Sequence, residues 1–511
     1  MTAPMPSSRP LRWLTLALLG LALLLPATTV AAAPAADWSH WDSLAFEHLT
    51  VRAGLPHATT TAFAQDRDGL IWIGTFGGLV RYDGYRVQVF RQSGPGGLPD
   101  NYIRALQAAP DGSLIVGTSA GGLARFDPRD NRFSTYDASP AHGTGPHVLT
   151  LAPDGAGGFW VGGQDGLSHL RNDLRTIERP SADAGLPADM AVFAVRQDRR
   201  GNLWVGSGQG LYLRRAGTTQ FVRFHGDDAA ARPVLDEDIW ALREDAAGNL
   251  WVGSGTRGVA VIDRQGHARV PPGLDGGAPA IQHRTIRDLL AGPDGRLWIA
   301  TDGVGVAVYD VHHGTLDILR HDNARPGSLG GNIVRALFLD RSSGLWAATE
   351  IDASRCDTRP TIVHTLDGLA LFGRQDATLD ENVRSVHTDR QGAIWLGFNR
   401  GRLARVDPAS GQIRLLILDG AQQDQDVRAI DTLPDGRIVA GARGLVTIDP
   451  VSLAIRPWSV DGLDTRPVLA LRTWRDALLV GTYNGLYRID RTGHVTHYRH
   501  EPGDPRSLVD D

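Results

Sequence analysis

Residues 66–75 read Asp66-Arg67-Asp68-Gly69-Leu70-Ile71-Trp72-Ile73-Gly74-Thr75, and Gly77-Gly78-Leu79 close the motif. The same frame returns from Asp111, Asp154, Asp198, Asp245, Asp294, Asp340, Asp389 and Asp435, and more weakly from Asp476. Successive copies start about 40 to 50 residues apart, a period that marks a repeat architecture. Working outward from the first copy, residues 61–65 read as a strand leading into the Asp/Gly turn. Residues 70–74 form a second strand, residues 79–83 a third after a glycine hairpin, and residues 86–90 a fourth. Glycine supplies positive φ at the turns and aspartate caps them through its side chain. Four-stranded units at this spacing describe blades, so the expected class is all-β and the expected fold a β-propeller.

Seven of the ten second strands carry a tryptophan: Trp72, Trp160, Trp204, Trp251, Trp298, Trp346 and Trp395. The others are assigned Ile115, Val439 and Leu478 at that position. A blade lies between neighbouring blades, so a large flat side chain at one register fills the gap between sheets, worth at most about 4 kcal/mol when buried. Closed propellers usually hold about four to eight blades, so ten copies argue for two rings. The seventh copy looks like the seam: after residues 345–349 it lacks the Gly-Leu start of a third strand and runs irregularly through Cys356. Residues 44–49 precede any blade and are expected to close the first ring as its missing outer strand. The expected domains are a seven-bladed ring over residues 40–372 and the first three or so blades of a second ring over residues 373–511. Residues 502–508 mirror residues 324–329, which lead into another blade, and three blades alone would leave bare strand edges. The chain is therefore expected to be a truncated part of a longer receptor.

With 61 glycines and 29 prolines yet 42% hydrophobic residues, the composition suits short strands and tight turns rather than disorder. A net charge of −5 without an arginine run leaves no basic patch for nucleic acid. There is no lysine anywhere, which excludes a P-loop, a Schiff base and a protein-kinase site. The single cysteine, Cys356, excludes an internal disulfide framework and is expected to be a buried or half-buried thiol. Arg9 and Arg12 precede an apolar run over residues 13–25, followed by Pro26 and the small residues 30–33. This is the plan of a cleaved signal peptide over residues 1–33, and the run is shorter than the ~20 residues of a spanning helix. The mature chain is expected to be exported and periplasmic, held at the inner membrane only through downstream segments.

Three motifs mimic catalytic or binding signatures. Gly117-Thr118-Ser119-Ala120-Gly121 matches a nucleophile elbow, but residues 123–126 read as a strand where an elbow needs a helix. Asp66-Arg67-Asp68-Gly69 hints at a calcium loop, yet the twelfth position holds Gly77 instead of glutamate. Gly303-Val304-Gly305 begins a dinucleotide-like string, but Val308 replaces the third glycine. No catalytic residue, cofactor or metal is expected.

Residues 54–91, GLPHATTTAFAQDRDGLIWIGTFGGLVRYDGYRVQVFR, resemble the two-component regulator propeller repeat. The resemblance spans nearly all of the mature chain. It implies the sensor region of a bacterial receptor with two seven-bladed rings outside the cytoplasmic membrane. It also implies a downstream β-sandwich, a transmembrane helix and a cytoplasmic histidine kinase or diguanylate cyclase, none of whose motifs occurs here. The alternatives are a periplasmic propeller lyase or hydrolase acting on glycans, which needs a convergent acid/base pair, and a protein-interaction scaffold.

One register suggests a site. Thirteen residues before the second-strand glycine, replaced by Ala300 and Ala348 in the sixth and seventh copies, stands an arginine in five copies: Arg104, Arg287, Arg335, Arg384 and Arg428. In a seven-bladed ring the sixth, seventh, first and second copies are consecutive, so Arg287, Arg335, Thr61 and Arg104 form one arc near the axis. Asn101 and Asn332 stand three residues upstream. Guanidinium forks and amides at a propeller mouth suit a carboxylated or polyhydroxylated small molecule. The competing account pairs each arginine with an acidic or carbonyl group between blades. The expected partners are a small-molecule or oligosaccharide ligand and, in the full receptor, a second copy in a homodimer.

Overall fold

The turn at Asp66 shows why the repeated frame folds as it does. Asp66 Oδ1 accepts the amides of Asp68 and Leu70, both at 3.0 Å, and Oδ2 accepts the Trp72 indole N–H at 2.8 Å. Both oxygens of the carboxylate are thus engaged by the hairpin. Gly69 completes the turn at φ +90°, the left-handed region that costs a β-carbon strain. The flanking strands are Thr60–Gln65, Ile71–Thr75, Gly78–Tyr82 and Val87–Phe90. Each lies within one residue of the position the turn residues predict.

The computed structural model describes residues 44–511 apart from 140–142, 182, 188–189, 275–280, 282, 324, 360–381, 409–411, 419–424 and 465. The expected signal peptide and the expected domain boundary at 372/373 lie outside the described residues. Among them are ten four-stranded antiparallel sheets and no helix long and apolar enough to cross a membrane. Among the described residues helical structure is confined to short turns such as Arg232–Leu235.

Seven sheets belong to one unit, Leu44–Ile362, and three to another, Val363–Asp511. In the first unit the innermost strands touch in chain order, and the seventh, Val334–Leu339, packs back against the first, Thr60–Gln65. The ring is closed. Its last sheet takes Glu47–Leu49 as outer strand, paired antiparallel with Ala353–Asp357. The seventh copy is therefore more regular than its sequence suggests. Ala353–Asp357 is a full third strand through Cys356, held by ladder bonds to Gly344–Thr349 without the usual Gly-Leu start. Cys356 is 2% exposed, and burial pushes its thiol up to about 12.

The core lies between blades. Trp72 packs with Leu79, Ile103, Leu106, Phe126 and Phe133 across the first and second sheets. Phe63, Ile73 and Val80 meet Trp346, Ala348 and Ala353 where the ring closes. Sheets approach so closely that a β-carbon on Gly117 would stand 2.5 Å from Val148 Cγ1. Arginines following the turn aspartate add polar ties between blades. Arg199 reaches Ala246 O at 3.0 Å, and Arg341 reaches Asp66 O at 2.6 Å and Arg67 O at 3.1 Å across the closure.

The tryptophans are buried between sheets, as their register predicts, and they carry a polar anchor as well. The indole N–H of Trp204, Trp251, Trp346 and Trp395 donates to the Oδ2 of Asp198, Asp245, Asp340 and Asp389 at 2.9–3.0 Å, matching the Trp72–Asp66 bond. Trp160 departs from this pattern: it donates to Gln197, while Asp154 takes His169 Nε2 at 2.8 Å. In the tenth copy the structure moves the tryptophan position from Leu478 to Leu479, which pairs with Arg472 as Trp72 pairs with Ala64.

The second unit contains blades built on Ser385–Thr388, Ala429–Thr432 and Val468–Trp474 as innermost strands, each packed on the next. Here too a buried tryptophan, Trp395, and its aspartate organise the first blade.

Candidate functional site

Every innermost strand of the ring carries the same irregularity. Its pairing with the second strand skips one residue, and the skipped residues are Thr61, Arg104, Leu149, Phe193, Trp240, Arg287 and Arg335. A β-bulge leaves one residue out of the ladder and re-aims its side chain. Here all seven bulged residues line one cavity of about 210 Å³, together with Tyr102 and Gln164. One lining residue from each innermost strand places the cavity on the ring axis.

The circuit divides into two halves. Arg287, Arg335, Thr61 and Arg104 follow one another on the sixth, seventh, first and second blades. Leu149, Phe193 and Trp240 complete it on the third, fourth and fifth. In the polar half Thr61 Oγ1 donates to Ile103 O at 2.7 Å, tying adjacent blades. Arg287 meets Asp302 Oδ2 through Nε at 3.2 Å and Nη2 at 2.5 Å, and its guanidinium lies 4.9 Å from the Trp240 ring centre. Asp288, beside it, is turned to other work. Its carboxylate accepts the amides of Leu289 and Leu337 at 2.8 Å, and burial pushes its pKa above the ordinary carboxylate value.

Arg104 and Arg335 are held differently. Arg104 lies over Tyr102 at 4.7 Å and Arg335 over Phe76 at 5.3 Å. Tyr102 and Phe76 themselves stand 4.0 Å apart, which makes a continuous belt from one guanidinium to the other. Neither arginine has a carboxylate partner among the described residues, and the Nε of each is buried without a hydrogen bond. Glu350 occupies the register of Asp302 one blade on, but its Oε2 accepts the Ile333 amide at 3.0 Å. In the apolar half Phe193 and Trp240 stack in parallel at 4.2 Å.

The structure brings Thr61, Arg104, Arg287 and Arg335 together as the arginine register predicts. It does not bring Asn101 or Asn332 to the lining. Asn101 Oδ1 accepts the Gln92 amide at 2.7 Å and Asn332 Oδ1 the His321 amide at 2.9 Å, so both brace the loop leading into the strand. Arg384 and Arg428, in the second unit, share Asp426 at 3.6 and 3.2 Å. Leu149, Phe193 and Trp240 were missed, although counting thirteen residues back from Gly162, Gly206 and Gly253 finds them. Tyr102 and Gln164 come from neighbouring turns and need the fold to be seen. The elbow-like serine, Ser119, sits in a hairpin between Leu114–Thr118 and Leu123–Asp127, and Gly303 and Gly305 sit in another.

Three segments, residues 54–77, 185–209 and 233–256, match the family described as two component regulator propeller. No curated protein matches the chain. Among solved structures, the extracellular domain of the hybrid two component system BT3049 from B. thetaiotaomicron aligns with a TM-score of 0.74 at 18% identity. The alignment covers 92% of this chain and 62% of that one. The extracellular domain of the one component system BT4673 from the same organism aligns with a TM-score of 0.53 at 17% identity, over 89% of this chain and 78% of that one. This chain thus spans under two thirds of the BT3049 domain, and at these identities the likeness establishes the propeller fold.

Proposed function

From a chain that carries two-component regulator propeller repeats, we infer an exported, extracytoplasmic sensor region of a bacterial transmembrane signalling receptor. Its closed ring binds a small anionic molecule at the axis. Binding shifts ring packing, and segments elsewhere in the receptor carry that shift to a cytoplasmic output, a histidine kinase or a diguanylate cyclase. The observation that carries this reading is the pair Arg104 and Arg335: two guanidiniums at one cavity, fixed on aromatic rings, with no carboxylate among the described residues to neutralise them. An unpaired half-buried cation is costly, and an anionic ligand offsets that cost through charge-assisted hydrogen bonds.

A catalytic reading finds less support. None of the residues lining the cavity is acidic, and the adjacent Asp302 is committed to Arg287, so no acid/base pair converges there.

A thermal-shift screen of the full chain against uronates, dicarboxylates, amino acids and neutral oligosaccharides tests the proposal. Anionic compounds should raise the melting temperature. The double variant Arg104→Ala/Arg335→Ala, which breaks no ion pair, should melt as the parent does and lose that response. A response confined to neutral sugars, or a double variant that no longer folds, would show that the arginines serve the fold alone.

A further inference from the structure

We propose that the axial cavity is built for an aryl or arylalkyl carboxylate, a single aromatic ring carrying one acid group. This narrows the anion-binding reading given above and rests on it. The argument begins with the two-faced circuit. A site for a dicarboxylate or a uronate would present polar groups on all sides. Here three consecutive blades offer Leu149, Phe193 and Trp240 instead, with Phe193 and Trp240 stacked 4.2 Å apart into one slab.

Opposite that slab lie the donors. Arg287 is half neutralised by Asp302 and fixed against Trp240, so it orders the wall more than it offers charge. Arg104 and Arg335 retain theirs, and the Phe76–Tyr102 pair between them leaves their forks little freedom to fold away. A planar carboxylate matches such forks, because two parallel N–H donors meet two oxygens.

Size points the same way. A ~150 Å³ apolar cavity accommodates benzene. This cavity, at about 210 Å³, has room for one ring and a carboxylate. It falls below the ~300–1,000 Å³ of clefts that hold drug-sized molecules. An oligosaccharide would have to leave most of its surface outside.

Four probes titrated calorimetrically into the full chain separate the elements of the proposal: phenylacetate, phenylacetamide, succinate and glucuronate. Phenylacetate should bind about tenfold or more tighter than each of the others, since losing either the charge or the ring forfeits one wall. Arg104→Leu and Arg335→Leu should each weaken phenylacetate by about tenfold or more and leave phenylacetamide unchanged. Leu149→Asn, outside the guanidinium belt, should weaken phenylacetate without affecting succinate, which supplies a readout independent of the arginine variants. Succinate or glucuronate binding as tightly as phenylacetate would overturn the aryl-acid assignment and leave the anion site standing. Phenylacetate binding that ignores both arginine variants, or no binding by any of the four probes, would overturn the assignment and the anion site together.

Discussion

The ring and the three-blade unit use the same repeat and the same arginine register, yet they treat the arginine in opposite ways. In the ring, Arg104 and Arg335 are the bulged second residues of Ile103–Ala108 and Val334–Leu339, resting on aromatic rings above a cavity. In the other unit, Arg384 and Arg428 stand just before the regular strands Ser385–Thr388 and Ala429–Thr432. Both turn to one carboxylate, Asp426. The position two residues before the arginine accounts for much of this. It is Asp426 before Arg428, but Tyr102 before Arg104 and Ile333 before Arg335; Arg287, with Thr285 at that position, takes its carboxylate from Asp302 in the following hairpin instead. One acidic residue converts a free guanidinium into a structural ion pair. A register conserved through a repeat therefore specifies where a side chain begins, while its neighbours decide what it does.

The strongest way to break this comparison is to remove the feature the two units share. Trp251→Ala in the ring and Trp395→Ala in the other unit should each cost about 3–5 kcal/mol. Denaturant unfolding followed separately in the two units should show each loss confined to its own transition. A single transition that moves equally with either substitution would show that the units are not independent.

Next in size is the polar anchor. Asp245→Ala leaves the Trp251 indole without its acceptor and should cost about 1–3 kcal/mol, with Asp245→Asn costing less because an amide oxygen still accepts. Burial raises the Asp245 pKa, but the Trp251 indole, the Asn249 side chain and backbone amides outweigh it and hold the carboxyl below its ordinary value. A lowered folded-state pKa contributes stability that is present above pH ~4, the unfolded value, and is lost as pH falls through the folded one. Asp245→Asn should remove that acid-sensitive contribution, visible as a flatter stability profile in this window. An unchanged profile would mean that the carboxylate charge adds nothing.

The smallest effect sharpens the contrast itself. Asp426→Ala should cost no more than about 1 kcal/mol, since the pairs it breaks are partly exposed. It should also leave Arg428 in the second unit without its carboxylate, as Arg104 and Arg335 are in the ring, while Arg384 keeps its bond to Asn399. Anion-induced stabilisation of that unit by the variant would show that an unpaired arginine suffices. Its absence would assign the difference to the bulge and the aromatic belt.

Much of the fold was legible because it depends on short-range chemistry. The Asp/Gly turns placed the strands of the first blade within one residue, and the strand-like residues 44–49, standing before any blade, were legible as the outer strand that closes the ring. Two regularities were present in the sequence and went unread. Aspartate stands six residues before six of the seven tryptophans, Trp298 being the exception with Gly292, and never before Ile115, Val439 or Leu479, where Ala109, Leu433 and Thr473 stand instead. In five of those six pairs the two side chains hydrogen-bond, Trp160 turning to Gln197 instead. The arginine register, followed only through its arginines, left out Leu149, Phe193 and Trp240. Asn101 and Asn332 fall outside the lining, because an amide near a cavity and an amide bracing a loop have the same sequence signature.

The repeat period and its turn residues established the blades, because hairpins with strands of two to seven residues are determined by their own glycines and aspartates. Periodicity also required neighbours, since no blade can bury a tryptophan alone. What no local pattern could decide is the cavity. Its lining comes from seven strands that are remote in the chain and meet only when the ring closes, and each side chain reaches the axis through a bulge that depends on the packing of adjacent sheets. Whether an arginine there stays free or finds a carboxylate is settled by that closure, because charge pairing acts through space and not along the chain.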